Sequence, residues 1–126
     1  MAPKKILIID DSSAVRHQVK GVLAEAGFTT LEAVDGVDGA DQIRACADLA
    51  LVICDVNMPR LGGLEMLETM RDELSSRALP VLMLTTEADP ASIARAKSGG
   101  ARAWMVKPFK DRLLVAAAMK LTAAAQ

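Results

Sequence analysis

Residues 49–63 read LALVICDVNMPRLGG, and the fold turns on how this stretch is read. Leu49 to Cys54 is an unbroken apolar run, the pattern of a strand buried on both faces. Such strands belong to parallel sheets covered by helices on each side. The run ends on Asp55, a side chain almost never fully buried unless something pairs with it. The chain then leaves through Asn57, Pro59, Gly62 and Gly63. A core strand that delivers a carboxylate to its carboxyl end needs a reason for the charge to be there.

The alternation of apolar run and helical spacing extends outward on both sides. Upstream, Ile6–Ile9 is a first strand, followed by the N-cap candidates Ser12 and Ser13. Val15, Val19, Val22, Leu23 and Ala26 fall at helical spacing, and Gly27 ends that helix. Thr29–Ala33 is a weaker strand, and the pattern predicts a helix from about Val37 to Ala47. Downstream, Leu64, Leu67, Met70 and Leu74 mark one helix, Val81–Leu84 a fourth strand, and Pro90 the first turn of a helix running to Gly99. Ala103–Val106 is a fifth strand, and Leu113, Leu114, Ala117 and Leu121 stripe a last helix. Strict alternation implies an α/β fold with parallel strands, right-handed crossovers and helices on both faces. A chain of 126 residues is large enough for one such domain with its own core.

Ligands of these sheets bind beyond the carboxyl ends of the strands. The first strand ends in Asp10-Asp11, the third in Asp55, the fourth in Thr85-Thr86 and the fifth in Lys107-Pro108; the second ends in Ala33-Val34, with nothing reactive. If the first and third strands are neighbours, about 4.8 Å apart, three carboxylates crowd together and penalise one another's ionisation. Lys107 offsets one charge, and a divalent cation would neutralise the remainder. The donors are few hard oxygens, which suits magnesium with its retained waters better than calcium's larger cage. Zinc would want His or Cys, and the one histidine, His17, is expected to be a solvated side chain of the first helix. Each group alone has an ordinary explanation. Asp10 and Asp11 favour a helix N-terminus, Asp55 can be a solvated strand end, Thr85 a plain strand residue and Lys107 a surface ammonium. One topology sets all of them at one rim, and that coincidence points to chemistry.

Composition removes other classes. With 15 Lys+Arg and 16 Asp+Glu the net charge is -1, which leaves no electrostatic footprint for nucleic acid or an anionic membrane. No apolar run approaches the roughly 18 residues of a membrane span, and no signal-peptide segment follows Met1–Lys5. Aromatics are only 2% of the chain, so the core is expected to be aliphatic, with the methionines as filler. Cys46 and Cys54 form no CxxC pair. The expectation is a reduced, cytoplasmic, monomeric chain with inert thiols.

Asp10-Asp11, Asp55 with Asn57-Met58-Pro59, Thr85-Thr86-Glu87 and Lys107-Pro108-Phe109 together resemble the signature of bacterial two-component response-regulator receiver domains, above all their stand-alone chemotaxis (CheY-like) members. The resemblance runs from about Lys4 to Leu121. It implies a single-domain, doubly wound (βα)5 flavodoxin-like sandwich with strand order 2-1-3-4-5. Residues 1–126 would then be one receiver domain, with a core of about 4–122 and no output domain. Asp55 would be the phosphoacceptor. Magnesium, or manganese in its place, would be held by Asp11, Asp55 and the main-chain carbonyl of Asn57, with Asp10 acting through water. Lys107 would contact the phosphoryl oxygens, and Thr85 would hydrogen-bond them after transfer. The Lys107–Pro108 bond is commonly cis in this family, and the glycines at 62 and 63 would let the loop after Asp55 turn sharply.

Asn57 and Glu87 occupy positions where the family tunes water access to the acyl phosphate. Trp104 stands where the family usually has Tyr or Phe as its switch residue. One reading makes it a core tryptophan under the last strand. In the other, Thr85 moves toward the phosphoryl group and the ring turns inward, reshaping the face of the fourth helix, fifth strand and fifth helix. Gly62 departs from the acid often found there. The implied upstream partner is a sensor histidine kinase of the CheA-like type. Downstream stands a flagellar motor switch protein, another signalling protein, or a histidine phosphotransfer protein in a relay. The activity implied is autocatalysed phosphorylation and dephosphorylation without a separate substrate. An aspartate-nucleophile phosphohydrolase would want a second acid where Asn57 stands. A flavodoxin-like nucleotide binder would want a phosphate loop where Asp10-Asp11 would repel phosphate.

Overall fold

The computed structural model describes residues 2–124. The strands are β1 (Lys5–Ile9), β2 (Thr29–Ala33), β3 (Leu49–Cys54), β4 (Val81–Thr85) and β5 (Ala103–Val106). They form one parallel sheet in the order β2-β1-β3-β4-β5. The helices are α1 (Ser13–Glu25), α2 (Gly36–Ala45), α3 (Gly63–Thr69), α4 (Arg71–Ser76), α5 (Pro90–Ser98) and α6 (Asp111–Ala124). Among the described residues no helix is long and apolar enough to cross a membrane.

The continuous apolar run of β3 is explained by its place in the middle of the sheet, where every residue but Ala50 is buried. Successive side chains of a strand point to opposite faces, and the core divides accordingly. Ile6, Ile8, Leu51, Ile53, Leu82 and Leu84 meet Val19 and Leu23 of α1 and Leu114 and Ala118 of α6. Leu7, Ile9, Val52, Cys54, Val81 and Met83 face the other way, onto Ile43, Met66, Leu67, Met70 and Ala96. Each aliphatic side chain fully buried in this way stabilises the fold by about 1.5–3 kcal/mol.

Local chemistry sets most helix ends. Ser12 caps α1, its hydroxyl accepting from the Val15 amide at 3.3 Å, and Gly27 takes the left-handed conformation (φ 98) just past the end. Asp89 caps α5 through the Ser92 amide, with Pro90 in the first turn. Asp35 caps α2, so this helix starts at Gly36 and ends at Ala45, slightly ahead of the predicted span on both sides.

One expectation is corrected. The spacing of Leu64, Leu67, Met70 and Leu74 predicts a single helix, whereas the structure divides it into α3 and α4 at Met70 (φ -95, ψ 5). The hydrogen-bond ladder continues across the break, from the Met70 amide to Met66 and from the Leu74 amide to Met70, both at 2.9 Å. The apolar stripe therefore stays aligned while the backbone bends. Just before the break the Thr69 hydroxyl donates to the Glu65 carbonyl at 2.8 Å, a back-bond of the kind that often accompanies bends in helices. The fourth and fifth predicted helices are thus α5 and α6.

Candidate functional site

β1 and β3 are hydrogen-bonded neighbours, with Ile9 paired to Cys54 and the Asp55 amide donating to the Ile9 carbonyl at 3.0 Å. This register sets Asp10 beside Asp55 at the carboxyl edge of the sheet, and Asp11 follows on the turn into α1. One carboxylate oxygen from each of Asp10, Asp11 and Asp55 lies within 4.8 Å of the other two. Asp10 is 4% and Asp55 9% exposed, whereas Asp11 is open to solvent.

Lys107, just beyond β5, reaches past the end of β4 to both buried acids. Its ammonium donates to Asp10 Oδ2 at 2.7 Å and to Asp55 Oδ2 at 3.2 Å. The Lys107–Pro108 bond is cis. The remaining oxygens of the pair are also engaged: Asp10 Oδ1 accepts from the Ser12 amide at 2.9 Å and Asp55 Oδ1 from the Val56 amide at 2.7 Å. Burial pushes the Asp10 carboxyl above its usual range, with Asp55 adding to the rise and Lys107 and Ser12 opposing it. For Lys107 burial acts downward, but Asp10 and Asp55 together outweigh it and hold the ammonium above its ordinary value. One ammonium serves two buried carboxylates, and Asp11 adds a third. The cluster therefore carries excess negative charge on hard oxygen donors, with no imidazole in the group, a donor set that fits magnesium.

The rest of the predicted site converges on Glu87. Thr85 is wholly buried at the end of β4, and its hydroxyl accepts from the Glu87 amide at 3.2 Å. The Trp104 indole N–H donates to the Glu87 carbonyl at 3.0 Å. The Asn57 side-chain amide donates to the Glu87 carboxylate at 2.8 Å. Trp104 is half-buried and packs on the core face that carries Met66, Met70 and Met83. The indole is at once packing and tether. Asn57 itself is exposed. His17 is exposed on α1 and is not among the clustered ligands.

Comparison with protein families matches residues 6–119 to the response regulator receiver domain. The chain belongs to the response regulator receiver family. The receiver is 35% identical over 111 residues to the chemotaxis protein CheY1 of Helicobacter pylori, covering 87% of this chain and 90% of that one. It is 36% identical over 111 residues to the CheY homolog of Campylobacter jejuni, covering 87% and 85%. Among solved structures, the chemotaxis protein CheY4 of Vibrio cholerae matches with a TM-score of 0.87 at 33% identity, over 95% of this chain and 99% of that one. The receiver is therefore a two-component phosphoacceptor domain of the CheY type, a signalling protein. Receiver domains bind magnesium at an acidic pocket, and the cluster of three aspartates at the sheet edge is consistent with one.

The β3–α3 loop of the receiver corrects the reading of its glycines. The left-handed residue is Arg60 (φ 64), while Gly62 has φ -75. Space, not turning, calls for the glycines. A Cβ on Gly63 would collide with the Asp55 carbonyl, and one on Gly62 would lie 2.8 Å from the Val56 carbonyl. Three residues near the receiver's acids escaped the sequence reading. Arg16 donates to the Asp10 main-chain carbonyl at 2.7 Å and pairs with Glu32 at 3.0 Å. Arg60 forms a two-pronged ion pair with Asp35, at 2.7 and 3.1 Å. Only Asp35 carried a signal, as an Asp-Gly step before a helical pattern. Burial lifts the Cys54 thiol far above its ordinary value, which leaves it a small core hydrophobe.

Proposed function

We propose that this receiver is a phosphorylation switch in a chemotaxis or motility pathway, accepting a phosphoryl group on Asp55 from a sensor histidine kinase. The observation that carries the reading is the Asp10–Asp11–Asp55 cluster bridged by Lys107. Asp55 stands at the end of the central strand, backed by a rigid core and oriented by the Val56 amide. Its carboxylate is a competent nucleophile. An Asp55 oxygen bonds to phosphorus as the phosphorus–nitrogen bond of the kinase's phosphohistidine breaks, and the electron pair leaves with the imidazole nitrogen. Negative charge gathers on the three equatorial oxygens, and Lys107 is within reach of them as Asp55 gives up its own charge. Bound magnesium, held by Asp11, Asp55 and the Asn57 main-chain carbonyl with Asp10 through water, would supply the remaining neutralisation of those oxygens.

After transfer, the Thr85 hydroxyl turns to the phosphoryl group and gives up the Glu87 amide. The β4–α5 loop then shifts, and with it the carbonyl that anchors the Trp104 indole. The face of α5, β5 and α6 changes shape and meets its target, a flagellar motor switch protein or another signalling protein. The chemotaxis relatives support this direction of output. Asn57 and Glu87, joined at 2.8 Å, flank the acceptor and orient the water that later hydrolyses the acyl phosphate. The test is Asp55→Asn, which keeps the shape and removes the nucleophile. The variant folds and takes no label from acetyl phosphate or a histidine kinase; stoichiometric labelling of it, or label on Asp10 or Asp11 of the wild type, defeats the assignment.

A further inference from the structure

We propose that Asp35 and Arg60 are positioning residues that clamp the β3–α3 loop, and with it the Asn57 carbonyl, in the geometry the cation requires; this rests on the metal-binding reading above. The loop leaves β3 at Asp55 and is closed at its base by the Gly63 amide on the Val56 carbonyl at 2.9 Å. Two contacts with the start of α2 hold its tip from outside. The Gly36 amide donates to the Leu61 carbonyl at 2.8 Å, and the Arg60 guanidinium grips both oxygens of Asp35. Asp35 is 3% exposed and also caps α2 through the Asp38 amide at 2.9 Å. One buried carboxylate thus fixes a helix start and a loop tip together.

The approach of loop and helix is close enough that a Cβ on Gly36 would lie 2.5 Å from the Leu61 carbonyl. Arg60 holds a left-handed backbone (φ 64) that side-chain-bearing residues seldom adopt. Surrounding structure has to over-determine such a conformation for it to persist. The Leu61 amide on the Pro59 carbonyl at 2.7 Å closes the turn around Arg60, and the two-pronged pair with Asp35 adds a tether from outside the loop. On its other flank the loop is tied by Asn57 to Glu87. Asn57 therefore sits between two anchors, three residues from the clamp. Groups that orient a metal ligand without touching the metal commonly change affinity by 10-fold or more when removed.

Three variants separate positioning from simple stability. Arg60→Gly removes the guanidinium and leaves the buried Asp35 carboxylate without its counter-charge. Relief of the left-handed strain offsets part of that cost, so its melting temperature falls modestly while the fold is kept. Asp35→Asn keeps a competent helix cap and loses the charge. Arg60→Lys keeps the charge and loses the planar fork. Magnesium titration by calorimetry should give a Kd weakened about 10-fold in Arg60→Gly and Asp35→Asn, with Arg60→Lys between them and the wild type. Amide hydrogen exchange across residues 57–62, measured in EDTA, should quicken in the same order. Wild-type magnesium affinity in Arg60→Gly, or unchanged loop exchange in both charge-removing variants, overturns the clamp. Failure of the wild type to bind magnesium instead defeats the metal reading, a result separable from the exchange rates taken without metal.

Discussion

Replacing Asp11 by asparagine removes one charge, with little change of shape, from three carboxylates whose oxygens approach within 4.8 Å. At that separation and an effective dielectric constant of about 20, two unit charges repel by roughly 3 kcal/mol. Asp11 is exposed, and solvent screening cuts its repulsion to about 1 kcal/mol from each neighbour. Without divalent metal, Asp11→Asn should therefore be more stable than the wild type by about 1–2 kcal/mol, worth roughly 4–8 °C in melting temperature for a domain of this size. Magnesium reverses the order. At about 100 times its Kd, a ligand that binds only the folded state adds about 2.7 kcal/mol, and the variant forfeits most of that gain. Thermal melts followed by circular dichroism, in EDTA and across a magnesium series, should show the two stability curves crossing. Asp41→Asn, an exposed acid outside the cluster, serves as control and should track the wild type throughout. Equal magnesium gains in wild type and Asp11→Asn, or a variant that melts lower in EDTA, would refute the charge-crowding argument.

Other outcomes follow from the same geometry. Gly63→Ala drives a methyl group into the Asp55 carbonyl, where backbone cannot yield as a side chain would; urea unfolding should show a loss of about 3 kcal/mol, and a loss under about 1 kcal/mol would contradict the close approach of loop and strand. Apolar replacements at both Asn57 and Glu87 remove their 2.8 Å hydrogen bond and should slow decay of the acyl phosphate several-fold in a phosphate-release assay; identical decay means these side chains do not orient the water. Trp104, the single tryptophan, should change its emission or iodide quenching on adding beryllofluoride with magnesium, and Thr85→Ala, which lacks the hydroxyl that meets the Glu87 amide, should blunt the change. Flat emission with beryllofluoride demonstrably bound would leave Trp104 as packing alone.

Much of the fold was legible because its causes are local or periodic. β1, β3 and β4 announce themselves as continuous apolar runs, since a strand buried on both faces has little room for polar side chains except at its ends. Ser12, Gly27 and Pro90 mark helix ends through contacts within a few residues of themselves. Asp10, Asp11, Asp55, Thr85 and Lys107 were legible as a group because a parallel sheet brings every strand's carboxyl end to one rim. Their roles came through resemblance and not through spacing. Tertiary structure alone decided that one ammonium bridges Asp10 and Asp55, that Glu87 gathers Asn57, Thr85 and Trp104, and that Arg60 grips Asp35 from 25 residues away. The bend at Met70 was hidden too, because the hydrophobic spacing runs through it unbroken. Periodicity records which face of an element meets the core, and caps record its ends. An ion pair between distant residues leaves no period and no cap; it exists only where the folded chain brings the two charges together.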